Sequence, residues 1–194
     1  MKQKNNVFEL TLMSMMVALL IIQTFIPIFG YIPLGPIDVT IVHITVILSA
    51  VLFGPKFGTI IGTIWGSLSL VRAFIQPTPF NIVFLNPLVS ILPRLLVGLI
   101  SAYLFKLLKI KLSTTLSYTI TAAVGSLTNT ILVLTSIYLF ASEAYANALG
   151  IPETALLGAL STILATNGVI EVIAAIIILP ILALAIDKFL KKKS

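Results

Sequence analysis

The stretch "NPLVSILPRLLVGLI", residues 86–100, begins with a turn-forming Asn-Pro pair and continues into an apolar run that contains Arg94. The solvent around this run decides its structure, and the composition of the whole chain indicates that solvent. Of the 194 residues, 59% are hydrophobic and 9% are charged, whereas a soluble domain carries about 25% charged residues. The mean hydropathy is +1.17. We therefore predict an all-α integral membrane protein in which residues 1–194 form a single domain.

Six apolar segments approach the length of about 20 residues that a membrane-spanning helix requires. They cover residues 8–26, 40–54, 57–75, 87–107, 115–140 and 157–187. Prolines, glycines and polar residues, which interrupt helices, separate them. The first segment follows a basic start, as in a signal peptide, but no small-residue cleavage site comes after it, and we predict that it is retained. The predicted architecture is a bundle of six transmembrane helices.

The ten lysines determine the predicted orientation of this bundle. In the six-span arrangement every lysine lies on one side of the membrane, in the termini or in the turns after spans two and four. Basic residues favour the cytoplasmic side, so we predict that both termini are cytoplasmic. We also predict that this multi-pass protein lies in a prokaryotic plasma membrane. The tail "KFLKKKS" (188–194) is typical of a topology anchor that contacts bilayer lipid. We predict no nucleic-acid partner for this basic segment.

The sequence offers little material for catalysis or for a metal centre. It has no cysteine, one histidine and six acidic residues, and it contains neither a paired-aspartate site nor an HExxH helix. It also lacks the GxxxxGK[ST] loop of nucleotide-binding proteins. We therefore predict no enzymatic activity, no cofactor and no bound metal. Uphill transport would need an ion gradient or separate subunits.

Polar residues that are rare in this chain collect in the predicted outer half of the bundle. They are Asn86, Arg94, Asn129, Asn167 and Glu171. An ionisable side chain at membrane depth costs about 2.5–3.5 kcal/mol on insertion scales, so it normally faces a cavity or a partner. One alternative is structural, with Arg94 paired to Glu171 or extended towards the membrane surface. The convergence of several polar groups favours a binding pocket instead.

Asn86, Ser90 and Arg94 follow one another at four-residue spacing, which places them on one stripe of a helix. Pro93 lacks an N–H and frees an upstream carbonyl, which needs a protein, water or ligand partner inside a membrane. A guanidinium can bind a carboxylate through two parallel hydrogen bonds. The stripe therefore predicts a binding helix for a small anion that arrives from outside.

Three further residues complete the set of candidate substrate-binding residues. Arg72 ends the third span in the outer half. Trp65 is in a residue class that more often anchors a helix at the membrane interface or packs than contacts a ligand. His43 could contact substrate, although a lone histidine is more often a satisfied packing residue.

Several sequence features together resemble the substrate-binding S component of energy-coupling factor (ECF) vitamin transporters. They are the basic start and small residues of the first span, the proline-rich first loop, "LFGPKFGTIIGTIWG" (52–66) and "NPLVSILPRLLVG" (86–98). In detail, "GYIPLG" (30–35), "FGPKFG" (53–58) and "NPLVSILPR" (86–94) look most like the pantothenate-type S components. The resemblance extends over nearly the whole chain.

This resemblance implies a six-helix bundle that captures a vitamin in its outer half and topples in the membrane to carry it inward. It implies a membrane T component and two cytoplasmic ATPase subunits as partners. Ser14 and Ala18, a pair of small residues one helical turn apart, fit the position that faces the T component. Arg94 and the asparagines suit pantothenate, while Glu171 would serve a hydroxyl group or an internal ion pair.

Two other functions stay open on the sequence. An S component could instead be specific for a riboflavin-type or pyridoxine-type vitamin. A stand-alone secondary transporter driven by an ion gradient would use Glu171 as its titrating group, but no inverted repeat is evident to support it.

Overall fold

The computed structural model describes residues 2–26, 29–32 and 38–193, together with the side chains of residues 10–26, 29–32 and 38–189. The described chain is mostly helical. Its helices are α1 (Lys2–Phe25), α2 (Val42–Phe53), α3 (Pro55–Ile75), α4 (Pro87–Ser90), α5 (Leu92–Leu108), α6 (Thr114–Phe140), α7 (Ser142–Leu149), α8 (Leu156–Ile163) and α9 (Val169–Lys193). Two short strands, β1 (Tyr31–Ile32) and β2 (Val39–Thr40), pair antiparallel and are called the hairpin below.

Some of the sequence predictions fall on parts of the chain that lie outside this description. They include most of the proline-rich first loop with the motif "GYIPLG", and the side chains of Lys2, Lys4, Lys191, Lys192 and Lys193.

Four helical segments are long and apolar enough to cross a membrane within the described residues. They are Pro55–Ile75, Pro87–Leu108, Thr114–Phe140 and Glu153–Phe189. Leu10–Phe25 and Val42–Phe53 are shorter apolar helices that coincide with the first two predicted spans. The prediction of a helical membrane protein is confirmed by these apolar helices. The hairpin is a small exception to the all-α prediction.

The surface of the helices is apolar, as contact with lipid requires. Large hydrophobic side chains such as Leu107, Tyr103, Ile177 and Ile181 are more than half exposed along α5 and α9. In water such a surface would cause association or aggregation. The buried residues, by contrast, include many hydroxyl and amide groups that point towards the inside of the bundle.

Two of the predicted spans are interrupted rather than regular helices. The fourth breaks at Ile91, between α4 and α5, two residues before Pro93. The sixth contains a π-helical turn at Leu164–Gly168, between α8 and α9. A proline removes a backbone hydrogen bond and bends a helix, and π-helical turns occur frequently at functional sites. Both interruptions border the site described below.

Close packing of α3 against α5 fixes the position of Arg94. The glycines of α3 face this contact: a side-chain carbon at Gly58 would lie 2.7 Å from the carbonyl oxygen of Gly98, and one at Gly66 would lie 2.6 Å from Cα of Ile91. At Gly62 the same carbon would collide with the carbonyl of Arg94 itself. Small residues allow helix backbones to approach closely in a membrane. The glycine stripe of α3 therefore holds the backbone that carries Arg94.

Candidate ligand-binding site

A cavity of about 350 Å³ lies at the end of the bundle that carries the hairpin. Ligand pockets for small molecules have volumes of about 300–1,000 Å³. The cavity is lined by residues of the hairpin, α3, α5, α6, α8, the π-helical turn and α9, and by the segments next to the hairpin and between α3 and α4. Its charged and amide-bearing residues are Asp38, Arg72, Asn81, Arg94, Asn129, Asn167 and Glu171. Phe80, Phe84, Val133, Leu134 and Ile163 supply an apolar wall.

Arg94 is held at the cavity wall by the break in its own helix. Pro93 has no N–H, so the carbonyl of Val89 lacks the donor that a regular helix would give it. The Nη1 atom of Arg94 donates to that carbonyl oxygen at 2.6 Å. The freed carbonyl predicted from the sequence therefore finds its partner in the neighbouring arginine.

Two aromatic rings flank the same guanidinium. Its central carbon lies 5.0 Å from the ring centroid of Trp65 and 4.9 Å from that of Phe84. Such cation–π contacts stabilise a buried cation without neutralising its charge. The Arg94 side chain is only 4% exposed, and its Nε atom has no hydrogen-bond partner among the described residues. The positive charge at this wall therefore has capacity left for an anionic group.

Arg72, the second arginine of the cavity, is neutralised within the protein. Its Nη2 atom lies 3.4 Å from Oδ2 of Asp38, and the two residues form a salt bridge. The guanidinium also lies 4.0 Å from the ring centroid of Tyr31. The Tyr31 hydroxyl in turn accepts a hydrogen bond from Nε1 of Trp65 at 3.0 Å. Arg72 thus attaches the hairpin to α3.

Glu171 is buried at the opposite side of the hairpin, with 3% of its surface exposed. Its Oε1 atom accepts a hydrogen bond from the backbone N–H of Thr40 at 2.8 Å, and Oε2 accepts one from the Thr130 hydroxyl at 2.8 Å. It forms no salt bridge with Arg94 in the described structure. The alternative in which these two residues pair directly is therefore not the observed arrangement.

Asn129 and Asn167 present amide groups to the cavity from α6 and from the π-helical turn. They are 3% and 6% exposed, respectively. The Oδ1 atom of Asn129 has no hydrogen-bond partner among the described residues. Oδ1 of Asn167 accepts a hydrogen bond from the Thr166 hydroxyl at 3.2 Å. A buried amide oxygen without a partner loses free energy, so the Asn129 carbonyl is suited to accept a hydrogen bond from a ligand.

Comparison with known proteins identifies the family to which this chain belongs. The family described as "ECF transporter, substrate-specific component" matches residues 8–183. The chain belongs to this family. It is 35% identical over 182 residues to the pantothenate transporter PanT of Leuconostoc mesenteroides, a match that covers 90% of this chain and 89% of the relative. It is 29% identical over 201 residues to the pantothenic acid transporter PanT of Lactococcus lactis, covering 96% and 97%.

The resemblance predicted from the sequence motifs is thus confirmed. The protein is a multi-pass plasma-membrane component of an ECF transporter, consistent with its apolar helices and with its bacterial relatives.

Only part of the stripe predicted on the fourth span of this S component lies at the cavity. Asn86 lies outside the lining residues and caps α4, with Oδ1 accepting from the N–H of Leu88 at 3.0 Å. Ser90 is fully buried and donates to the carbonyl of Asn86 at 3.1 Å. Four-residue spacing places side chains on one face only while the helix is regular, and the break at Ile91 ends that regularity. Of the three stripe residues, Arg94 alone lines the cavity.

Trp65 and His43 also lie outside the described lining of the cavity. Trp65 is fully buried, and it supports the site indirectly through its contacts with Arg94 and Tyr31. His43 is fully buried in α2. The structure thus brings five of the nine predicted residues together at the cavity: Arg72, Arg94, Asn129, Asn167 and Glu171.

Sequence reasoning missed several lining residues, and the reasons differ. Thr40 and Thr130 were not singled out because a threonine in an apolar span is common. Phe84 lies in a single 3₁₀-helical turn, Ile82–Leu85, which is too short for a periodicity to indicate which way a side chain faces. Tyr31 and Asp38 are a different case: the sequence places both at the proline-rich outer loop, and a pocket role for Tyr31 is the less favoured interpretation beside packing or anchoring at the membrane interface.

Proposed function

We propose that this protein is the pantothenate-binding S component of an ECF transporter. Residues 1–194 form one domain with six spans and cytoplasmic termini, so that the cavity receives the vitamin from outside the cell. Both relatives reported above carry pantothenate in their names, and the matches cover most of each chain. Neither a cofactor nor catalysis by this subunit is part of the proposal.

The observation that carries the proposal is the difference between the two arginines in their carboxylate partners. Arg72 is paired with Asp38, whereas Arg94 reaches the cavity without a carboxylate partner in the described structure. Pantothenate has a carboxylate, a group that a guanidinium binds through two parallel charged hydrogen bonds. Arg94 therefore binds the carboxylate of the vitamin.

The remaining polar groups suit the rest of the molecule. Pantothenate also carries an amide and two hydroxyl groups, which both donate and accept hydrogen bonds. Asn129 offers an acceptor that has no hydrogen-bond partner among the described residues, and Asn167 offers a second amide at the same cavity. Phe80, Phe84 and Leu134 face the same space and would cover the apolar carbons of the ligand. An apolar pocket with a few placed polar groups is the usual form of such sites.

Energy for uptake comes from partners, because the chain lacks a nucleotide-binding loop. A membrane T component and two cytoplasmic ATPases couple ATP hydrolysis to toppling of the loaded S component. Ser14 and Ala18 support this assembly, since both are exposed on one face of α1 and leave room for close helix packing.

Equilibrium dialysis of the purified protein without ATP tests the proposal. Radiolabelled pantothenate should bind, and unlabelled pantothenate should displace it, whereas riboflavin and pyridoxine should not. If none of these vitamins bound, the proposed function would be contradicted. Reconstitution of the S component alone in liposomes under a proton or sodium gradient should give no accumulation; accumulation would indicate a secondary transporter.

A further inference from the structure

Glu171 connects three elements that meet at the cavity. Its carboxylate accepts one hydrogen bond from the backbone of β2, at Thr40, and one from α6, at Thr130. Glu171 itself belongs to α9. Each of its two oxygens therefore has a donor within the protein, and the 3% exposure of the side chain leaves little of the carboxylate open to a ligand.

The hairpin depends on such attachments for its position. It consists of only two residue pairs, Tyr31 with Thr40 and Ile32 with Val39. A hairpin of this size is not stable by itself. On the side of α3 it is attached through the Arg72–Asp38 salt bridge and the contact of Arg72 with Tyr31. On the side of α6 and α9, among the described residues, it is attached to a side chain through the hydrogen bond from the Thr40 N–H to Glu171.

We propose that Glu171 is a positioning residue that fixes the hairpin over the cavity before the vitamin arrives, and that the ligand does not contact it. A wall that is already ordered does not have to be ordered during binding, so the attachment raises affinity indirectly. The role in vitamin affinity rests on the proposed function, but the attachment of the hairpin can be measured without any vitamin.

Cysteine labelling provides that measurement, because the natural sequence has no cysteine. Val39 lies in β2 next to Thr40 and is 1% exposed, so a thiol in its place can react only when the hairpin opens. In Val39→Cys protein, addition of Glu171→Ala should raise the rate of reaction with a maleimide about tenfold or more, because both hydrogen bonds to the carboxylate are lost.

Two matched variants separate the attachment from charge and from misfolding. Glu171→Gln keeps an acceptor for the Thr40 N–H and a donor for the Thr130 hydroxyl, so the labelling rate should remain within about threefold of the parent. Thr130→Val removes one bond and should raise the rate by an intermediate factor. A cysteine at Ala183, which is fully buried in α9, should remain unreactive in all variants.

Affinity measurements then distinguish positioning from ligand contact. Pantothenate and an amide-linked carboxylate of the same length without hydroxyl groups should lose affinity by the same factor in Glu171→Ala protein. A loss confined to pantothenate, or a labelling rate that Glu171→Ala and Thr130→Val leave unchanged, would overturn the proposal. Failure of pantothenate to bind at all would contradict the proposed function and leave the labelling result as the test of the attachment.

Discussion

Arg94 donates a hydrogen bond at 2.6 Å to the carbonyl oxygen of Val89, the acceptor that Pro93 leaves without its usual N–H donor. One side chain thus completes the broken helix and presents a cation to the cavity. These two roles can be separated by mutation, because the first depends on Pro93 and the second depends on the charge.

Replacement of Arg94 should have the largest effect on pantothenate binding. Arg94→Ala removes a charged donor that can form two hydrogen bonds to a carboxylate, and since each contributes about 1.5–3 kcal/mol, the affinity should fall by about 100-fold or more. Arg94→Lys should still lower the affinity about tenfold. An ammonium group cannot form two parallel hydrogen bonds to a carboxylate while it also donates to the Val89 carbonyl. Isothermal titration calorimetry measures both. An unchanged dissociation constant in Arg94→Ala protein would remove this residue from the site.

The stability cost of losing Arg94 should depend on residue 93. In the natural chain Arg94→Ala leaves the Val89 carbonyl buried without a donor, which costs about 1–3 kcal/mol. Pro93→Ala supplies an N–H to the same carbonyl, so in that background Arg94→Ala should cost about 1 kcal/mol less. Thermal unfolding of the four proteins in detergent gives the coupling. Additive effects would mean that the hydrogen bond to Val89 contributes nothing.

Helix positions could be read from the sequence because they follow from the length of apolar runs and from their interrupting residues. The predicted span 115–140 and the observed Thr114–Phe140 differ by one residue at its start. Arg94, Asn129 and Asn167 were predictable as cavity residues because each is a rare polar group inside an apolar segment.

Contacts between distant segments could not be predicted in this way. Thr40 meets Glu171 across 131 positions of sequence, and no local pattern signals such a contact. The stripe that contains Asn86 assumed a regular helix, but α4 begins only at Pro87, so Asn86 is the helix cap, and the helix then breaks at Ile91. The hairpin is too short for strand periodicity to register, because two residues cannot display an alternation.

Gly62 should be the least tolerant glycine of α3. A methyl group at this position collides with the carbonyl of Arg94, and overpacking of this kind costs about 1–3 kcal/mol. Gly62→Ala should therefore lower the unfolding temperature and also weaken pantothenate binding, because the collision displaces Arg94. Gly158→Ala is the matched control: the methyl group meets no atom within 4 Å in α8, and stability should stay equal or rise by up to about 1 kcal/mol. Equal behaviour of the two variants would refute the packing argument.

Enlarging the small residues of α1 should separate assembly from ligand capture. Ser14 and Ala18 are exposed, and neither belongs to the described lining of the cavity. In Ser14→Leu and Ala18→Leu proteins, pantothenate affinity should remain within about twofold of the parent, while co-purification with the T component and ATPases should be lost, because leucine prevents close helix approach. Val124→Leu, on the exposed face of α6, serves as the control for added bulk and should assemble normally. Normal assembly of both α1 variants would place the partner surface elsewhere on the bundle.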